Sequence, residues 1–454
     1  MMKTQVNTQL LAAISSEQQH IERATPGSVS VPGLKCMKTF NPLITPELME
    51  NALKTKTFGR SKAFSPNLSF AVDMVGSPAT AFPETSYTQQ EVGNILDIKD
   101  PVTWKLLSAP HIKKRHLYLP PAIGGDQPRQ PTPSQRNATF MKGLDDIGVK
   151  AVEAALSDTK TDIKEIDMLV TVTSTGLALP GVSGILIRKL PFRGDVLRSD
   201  IVGMGCNGGA SGLRAIATQL GHMASIRGKE CKALLLCCEV NSAYFVNRDG
   251  NIGDGVVNSL FGDGDVASIL AASPFGSNFA IPGSPSCVSA GADPRPPKIS
   301  LLDFQSITIP EYFEDMSYNM DEQSQLPFFK LSKRIPMAVG NSVEIPVREL
   351  LDRHGLAPAD VCQWVVHGGG KSVMQLVAKN LGLDHDKDLR HTKSVLRDYG
   401  NISSGSFLVS LQRLLAEAQE DLDVLQTGDV VALIAMGPGA TIEVILGVVT
   451  AAAK

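Results

Sequence analysis

The sequence predicts an α/β protein, with a duplicated and layered arrangement of sheet and helices. Three observations carry this. "IDMLVTVTST" (166–175) and "KALLLCCEV" (232–240) are apolar runs with little polar alternation, as in strands buried on both faces. They alternate with segments of helical period such as "MKGLDDIGVKAVEAALSDT" (141–159). Finally, "NSLFGDGDVASILAAS" (258–273) and "IAMGPGATIEVILGVV" (434–449) share a plan: an apolar pair, a G-x-G turn, then a strand. The echo, near the ends of two stretches of similar make-up, reads as a duplication with halves at 67–273 and 297–454.

Taken in order, residues 1–66 carry no sustained strand pattern and read as an extension. Its first part, "MMKTQVNTQLLAAISSEQQHIERA", lacks a continuous apolar stretch and contains acids, so it reads as a surface helix or arm rather than a signal. "LSFAVDMVGSPAT" (68–80) is the first core strand. "GDQPRQPTPSQRN" (125–137) reads as a polar, proline-rich loop. Ile201-Val202-Gly203-Met204 reads as the end of another buried strand. Residues 274–296, rich in proline, glycine and serine, read as the linker between the halves.

Composition narrows the function. Lys and Arg number 43 against 46 Asp and Glu, a net charge of −3, which argues against a nucleic-acid surface built on bulk charge. Hydrophobic residues make up 43% but aromatic ones only 5%, so the core must be aliphatic. The 7 cysteines lack metal-ligand spacing and suit a reducing compartment, hence the cytoplasm. No apolar run approaches the ~20 residues needed to cross a bilayer.

The chemistry centres on "SDIVGMGCNGGASGLRAI" (199–216). Cys206 follows a strand and precedes Gly208, Gly209 and Gly212, after which Leu213, Ile216 and Leu220 recur at helical spacing. A thiol at a helix N-terminus meets unpaired amides and the positive end of the dipole, which lowers its pKa. A free cysteine is also commonly a small buried hydrophobe, and this segment alone supports both readings. In "VVHGGGKSV", His367 follows a buried strand and precedes three glycines; His111, His222, His354 and His385 read as structural or surface groups. In "DYGNISSGSF", Asn401 sits between two helices, where asparagine is also an ordinary cap or turn residue.

Together the three residues make a coherent machine. A Cys206 thiolate attacks an acyl thioester while His367, as imidazolium, stabilises it. His367 and Asn401 then donate to a thioester oxygen as a malonyl unit loses carbon dioxide. No metal or redox cofactor is called for. Gly369, Gly370 and Gly439 let backbone approach the substrate. The "MGPGAT" backbone and the Cys206 amide could form a second oxyanion hole.

"GMGCNGG", "SLFGDGDVAS", "VVHGGGKSV", "DYGNISSGSF" and "MGPGATIE" resemble, in order and context, the type III polyketide synthases, the chalcone synthase-like enzymes of thiolase fold. The resemblance runs over about 68–450. "SYTQQEVGNILDIKDP" and "VLRDYGNISSGSFL" are similar to the bacterial 3,5-dihydroxyphenylacetyl-CoA synthase branch. The resemblance implies a thiolase-like duplicated α/β/α fold, a homodimer, CoA thioester substrates without a cofactor, and malonyl-CoA as both starter and extender. Cys206, His367 and Asn401 match the nucleophile and its partners. Phe261 and Phe329 match two phenylalanines between the CoA tunnel and the reaction cavity. Tyr244 matches a wall position that is smaller in chalcone synthases. Leu179 matches a residue that enters the partner subunit's cavity. Of three basic positions that hold CoA phosphates in plant members, only Lys105 is kept; the others fall on Val102 and Ala109. Two alternatives share the fold: an initiating ketoacyl-carrier-protein synthase, and a non-catalytic subunit, which should have lost one of the three residues.

Overall fold

The computed structural model describes residues 72–119, 131–248, 250–274, 297–322 and 327–451. The 1–66 extension, and all but the first residue of the 274–296 linker, lie outside the described residues.

Short elements open the chain: β1 (Val72–Met74), β2 (Ala79–Ala81) and β3 (Ser86–Thr88). Helix α1 (Gln89–Ile95) starts from a capping box between Thr88 and Glu91. Helix α2 (Pro101–Leu107) is capped by Asp100 with proline in its first turn, and β4 (Lys114–His116) pairs antiparallel with β3.

The reading of 125–137 as loop needs correction at its end. Helix α3 (Pro133–Gly143) begins there, because Thr132 and Gln135 form a second capping box and Pro133 sits where no amide is needed. A π-helical turn (Leu144–Gly148) carries it into α4 (Val149–Asp158). Then come β5 (Ile166–Thr173), α5 (Val182–Lys189), β6 (Leu197–Val202), α6 (Gly208–Arg227), β7 (Cys231–Glu239), α7 (Ile252–Leu260) and β8 (Gly264–Ala272). The later part holds β9 (Lys298–Thr308), a hairpin of β10 (Met316–Met320) and β11 (Pro327–Leu331), α8 (Ile335–Ser342), α9 (Glu344–Arg353) and β12 (Val361–Val366). It ends with α10 (Lys371–Leu381), α11 (Arg390–Tyr399), α12 (Ser406–Glu420), β13 (Val430–Gly437) and β14 (Thr441–Ala451).

Strand order in the main sheet is β12-β13-β14-β9-β1-β8-β7-β5-β6, with β2 alongside β8. The two flanks mirror each other. β5 runs parallel to β7, which is antiparallel to β8; β12 runs parallel to β13, which is antiparallel to β14. Alternate residues on each strand face opposite layers. Val170 and Val172 of β5, and Val431 and Leu433 of β13, pack on the central helices α6 and α12 in one core. Leu169 and Leu234 face α3, α4 and α5 on one outer side; Ala432 and Ile434 face α8 to α11 on the other. Sheet and helices therefore alternate in layers, with α6 and α12 innermost.

One strand differs from expectation. Among the described residues β6 is the sheet's edge and pairs only with β5, so Ile201-Val202 does not end a buried strand: Val202 is 55% exposed and Leu197 49%.

Candidate active site

The cysteine turn is built by close packing across the two flanks. After β6 the chain makes a 3-10 turn (Gly205–Asn207) and enters α6. Gly205 has φ +57, and a Cβ there would lie 2.2 Å from Pro438 Cδ. Only glycine allows both that conformation and that approach. The loop after β13 therefore rests directly on the cysteine turn.

The later segments supply the partners. His367 follows β12 and is tied by its amide to Ile434 O at 2.8 Å. It is 2% exposed, and its Nδ1 has no hydrogen-bond partner among the described residues. Asn401 follows α11; its amide donates to Leu260 O (2.9 Å), and its carbonyl accepts from Gly262 N (3.0 Å). This fixes it beside Phe261. The Asn401 side chain is oriented by two donors to Oδ1, Ser403 N at 2.8 Å and Ser406 Oγ at 3.2 Å. Its Nδ2 is thereby left to donate to Cys206 Sγ, at 3.9 Å.

Cys206, His367 and Asn401 all line one cavity of about 520 Å³. Its walls are largely apolar. Phe261 and Phe329 line it edge to face, with ring centroids 6.0 Å apart. Tyr244 lines it as well, packed edge-on against Tyr318 at 5.6 Å. Gly369 and Gly370 line it; Gly439, Lys105 and Leu179 do not. Gly439 turns its α-carbon toward Phe313, Lys105 is exposed on α2, and Leu179 is fully exposed on a loop.

Two residues on the walls went unnoticed in the sequence. His111, read there as structural or surface, lines the cavity, and so does Tyr318. Tyr318 sits opposite Phe329 in the β10–β11 pairing, a hairpin whose two strands the sequence reading never paired.

Burial dominates the electrostatics. It pushes the Cys206 thiol up to about 11, although the side chains of Ser403 and Asn401 and the backbone at Cys206 oppose it. The expected depression by the helix N-terminus does not prevail, because a lone thiolate would have to leave water entirely. Burial likewise brings the His367 imidazolium down to about 4. Burial thus works against each of the two charges taken alone.

Behind the cysteine lies a set of buried carboxyls. Glu239 accepts from Ser174 N (3.0 Å), Thr175 Oγ1 (2.9 Å) and Ser404 Oγ (2.5 Å), and burial raises it to about 7. Burial raises Asp263 to about 6 and Asp265 to about 8. Arg115, fully buried, donates to Phe261 O at 2.6 Å and so anchors that wall residue. Among the described residues, no group of three or more His, Cys, Asp or Glu side chains is placed to hold a metal ion, and no helix is long and apolar enough to cross a membrane.

The two sheet flanks about paired central helices make up a thiolase-like fold. Residues 77–274 match the N-terminal domain of the chalcone and stilbene synthases, and residues 305–450 match their C-terminal domain. The chain belongs to that family, the type III polyketide synthases. It is 39% identical over 369 residues to the 3,5-dihydroxyphenylacetyl-CoA synthase of Amycolatopsis orientalis, across 81% of this chain and 91% of that one. It is 38% identical to the synthase of the same name from Streptomyces toyocaensis, across 81% and 87%. The crystal structure of 1,3,6,8-tetrahydroxynaphthalene synthase from Streptomyces coelicolor shares the fold, with a TM-score of 0.68 at 23% identity, covering 84% of this chain and 100% of that one.

Proposed function

We propose that this synthase builds 3,5-dihydroxyphenylacetyl-CoA from malonyl-CoA alone. The observation that carries the reading is the cavity of about 520 Å³ with Cys206, His367 and Asn401 on its lining. Likeness to the two dihydroxyphenylacetyl-CoA synthases supports the choice of product.

In this reading the Cys206 thiol passes its proton to His367 and attacks the thioester carbonyl of the starter, releasing CoA. His367 and Asn401 Nδ2 then donate to the thioester oxygen of an incoming malonyl-CoA. The carboxylate leaves as carbon dioxide, and its electron pair becomes the enolate those donors stabilise. The enolate carbon attacks the acyl carbonyl on Cys206, the carbon–sulfur bond breaks to release the Cys206 thiolate, and the chain, lengthened by one unit and now carried on CoA, is passed back to Cys206 for the next round. After four units the chain closes, loses water and aromatises. Neither metal nor redox cofactor takes part.

Tyr244, Phe261 and Phe329 leave room for small acyl units rather than an aromatic starter. The protein acts as a homodimer in the cytoplasm. Leu179 and Leu177, 100% and 81% exposed, are the apolar residues that would enter a second copy.

Purified protein supplied with malonyl-CoA as sole substrate tests the reading. Mass spectrometry should find the dihydroxyphenylacetyl thioester. Dominant incorporation of an added coumaroyl- or long-chain acyl-CoA, with no aromatic product from malonyl-CoA alone, would remove the product and leave the family.

A further inference from the structure

One end of the cavity is closed and the other open. Cys206, His367 and Asn401 lie at the closed end, the last two 2% exposed each. The residues toward solvent are Val102, Lys333, Lys371 and Ser372, all exposed, with the half-buried His111 among them. A CoA thioester has the matching polarity. Its reactive carbonyl and its phosphates are at opposite ends of the pantetheine arm, so a thioester seated on Cys206 brings its phosphates to the open end.

Helix α2 does not meet them with charge. It turns Val102 and Leu106 toward the cavity, while Lys105 is exposed and off the lining. The cations come from the later part of the chain instead. Lys333 follows β11, and Lys371 opens α10 directly after Gly370. Neither makes an ion pair or hydrogen bond among the described residues, although ion pairs are common elsewhere on this surface. Lys371 also stands in the first turn of its helix, where a positive charge opposes the dipole. Its place there is not explained by the stability of α10. Burial, then the charge of Lys371, holds His111 below the ordinary imidazole range. The two therefore act on the same space.

We infer that Lys333 and Lys371, with His111 beside them, hold the phosphates of the CoA thioester, in place of basic residues on α2. The inference rests on the reading of CoA thioesters as substrates. The recognised chemistry is a phosphate at the end of a pantetheine arm, whether on CoA or on a carrier protein; the structure's rim is assigned to CoA.

Calorimetric titration of CoA and of pantetheine, which lacks phosphates, into wild type, Lys333→Ala, Lys371→Ala and the double variant tests this. Both lysines are exposed, so the fold should tolerate these changes. Each single variant should bind CoA about tenfold more weakly, as expected for one charge-assisted contact. The double variant should lose more, and Lys371→Glu more than Lys371→Ala. Pantetheine affinity should stay within about twofold. Added salt should weaken CoA binding to wild type more than to the double variant. In turnover, the KM for malonyl-CoA should rise while kcat holds. Lys105→Ala should match wild type.

Unchanged CoA affinity in the double variant would overturn the inference. So would an equal loss for pantetheine. Loss of turnover with malonyl-carrier protein, but not with malonyl-CoA, would move the site to a carrier-borne phosphate and overturn the assignment to CoA. These binding data stand apart from the product. A wild type that makes a different polyketide, yet binds CoA through the lysines, would reject the proposed product and keep the phosphate site.

Discussion

Adding one methyl group at Gly205 should damage both the fold and the chemistry. Gly205 has φ +57, which costs an L-residue about 1–2 kcal/mol. Its new Cβ would lie 2.2 Å from Pro438 Cδ and 2.5 Å from Pro438 Cγ. The proline ring is stiff and its loop is held between β13 and β14, so the overlap must be relieved by moving backbone, at about 1–3 kcal/mol. Together Gly205→Ala should destabilise by about 2–5 kcal/mol. Unfolding entropy of about 2.1 cal/mol/K per residue gives a chain of 454 residues close to 1 kcal/mol/K. The melting temperature should thus fall by only about 2–5 °C, and the variant should be recoverable as folded protein. Activity should suffer far more, because the residue displaced is the neighbour of Cys206. A shift of about 1 Å at a reacting atom costs on the order of 100-fold. Thermal unfolding by circular dichroism and carbon dioxide release from malonyl-CoA are the two readouts. Gly194→Ala is the control, since a Cβ at Gly194 meets nothing within 4 Å and its backbone is unstrained. If Gly205→Ala melts with wild type and releases carbon dioxide at full rate, the packing of the Pro438 loop on the cysteine turn does not position the thiol.

Four further outcomes follow from the same geometry. In the proposed mechanism His367→Ala leaves the Cys206 thiol without its proton acceptor. Iodoacetamide labelling at pH 7 should slow, and its rise with pH should steepen, as for a buried thiol with no acceptor beside it; a profile identical to wild type would exclude proton exchange between the two. Asn401→Ala removes the donor 3.9 Å from Cys206 Sγ and should cut carbon dioxide release by about 10²–10³. Near wild-type release would take Asn401 out of that step. Tyr244→Ala removes a ring from the cavity wall and should admit larger starters in competition with malonyl-CoA; an unaltered starter preference would show that this wall does not select. Burial lets Asp265 hold its proton up to about 8 in the fold, against about 3.9 for a carboxyl in water, so the stability it contributes is full at low pH and is lost as pH rises through 8. Asp265→Asn should therefore flatten the fall in urea stability between pH 6 and 8, and an unchanged slope would mean that other groups set it.

Much of this could be read in the sequence, for identifiable reasons. β5 and β7 are buried on both faces and flanked by helices, so their apolar runs carried a signal that owed nothing to distant contacts. Cys206, His367 and Asn401 each sit at the junction of two regular elements beside glycine, where local pattern is most informative. The errors had tertiary causes. β6 has apolar residues at both ends yet lies at an edge, and strand order is not a local property. The start of α3 was locally encoded by Thr132, Pro133 and Gln135, but the prolines around them read as loop. The thiol's rise to about 11 was hidden because a helix N-terminus is visible in sequence and the depth of a cavity is not. His111 and Tyr318 reach the cavity through the folding of α2 and the β10–β11 hairpin against it, which no spacing announces.

The burial that works against each charge alone is what the proposed chemistry requires once substrate arrives. A lone thiolate or imidazolium in this cavity is costly, as the opposite shifts of Cys206 and His367 show. The same low polarisability strengthens any donor aimed at a developing negative charge. During decarboxylation the malonyl charge leaves a carboxylate and settles on a thioester oxygen. In the proposed mechanism His367 and Asn401 Nδ2 meet it there without first having to reorganise, since β12 and the Ser403–Ser406 turn already fix them. Water in the cavity would compete for those donors and would protonate the enolate before it could attack. Phe261 and Phe329 place apolar rings on the cavity wall, so widening it at either is expected to admit water and to trade yield of the long chain for carbon dioxide released without condensation. Phe329→Ala is thus expected to raise the ratio of carbon dioxide to polyketide, measured with labelled malonyl-CoA, and a ratio equal to wild type would show that the Phe329 ring does not shield the enolate from water.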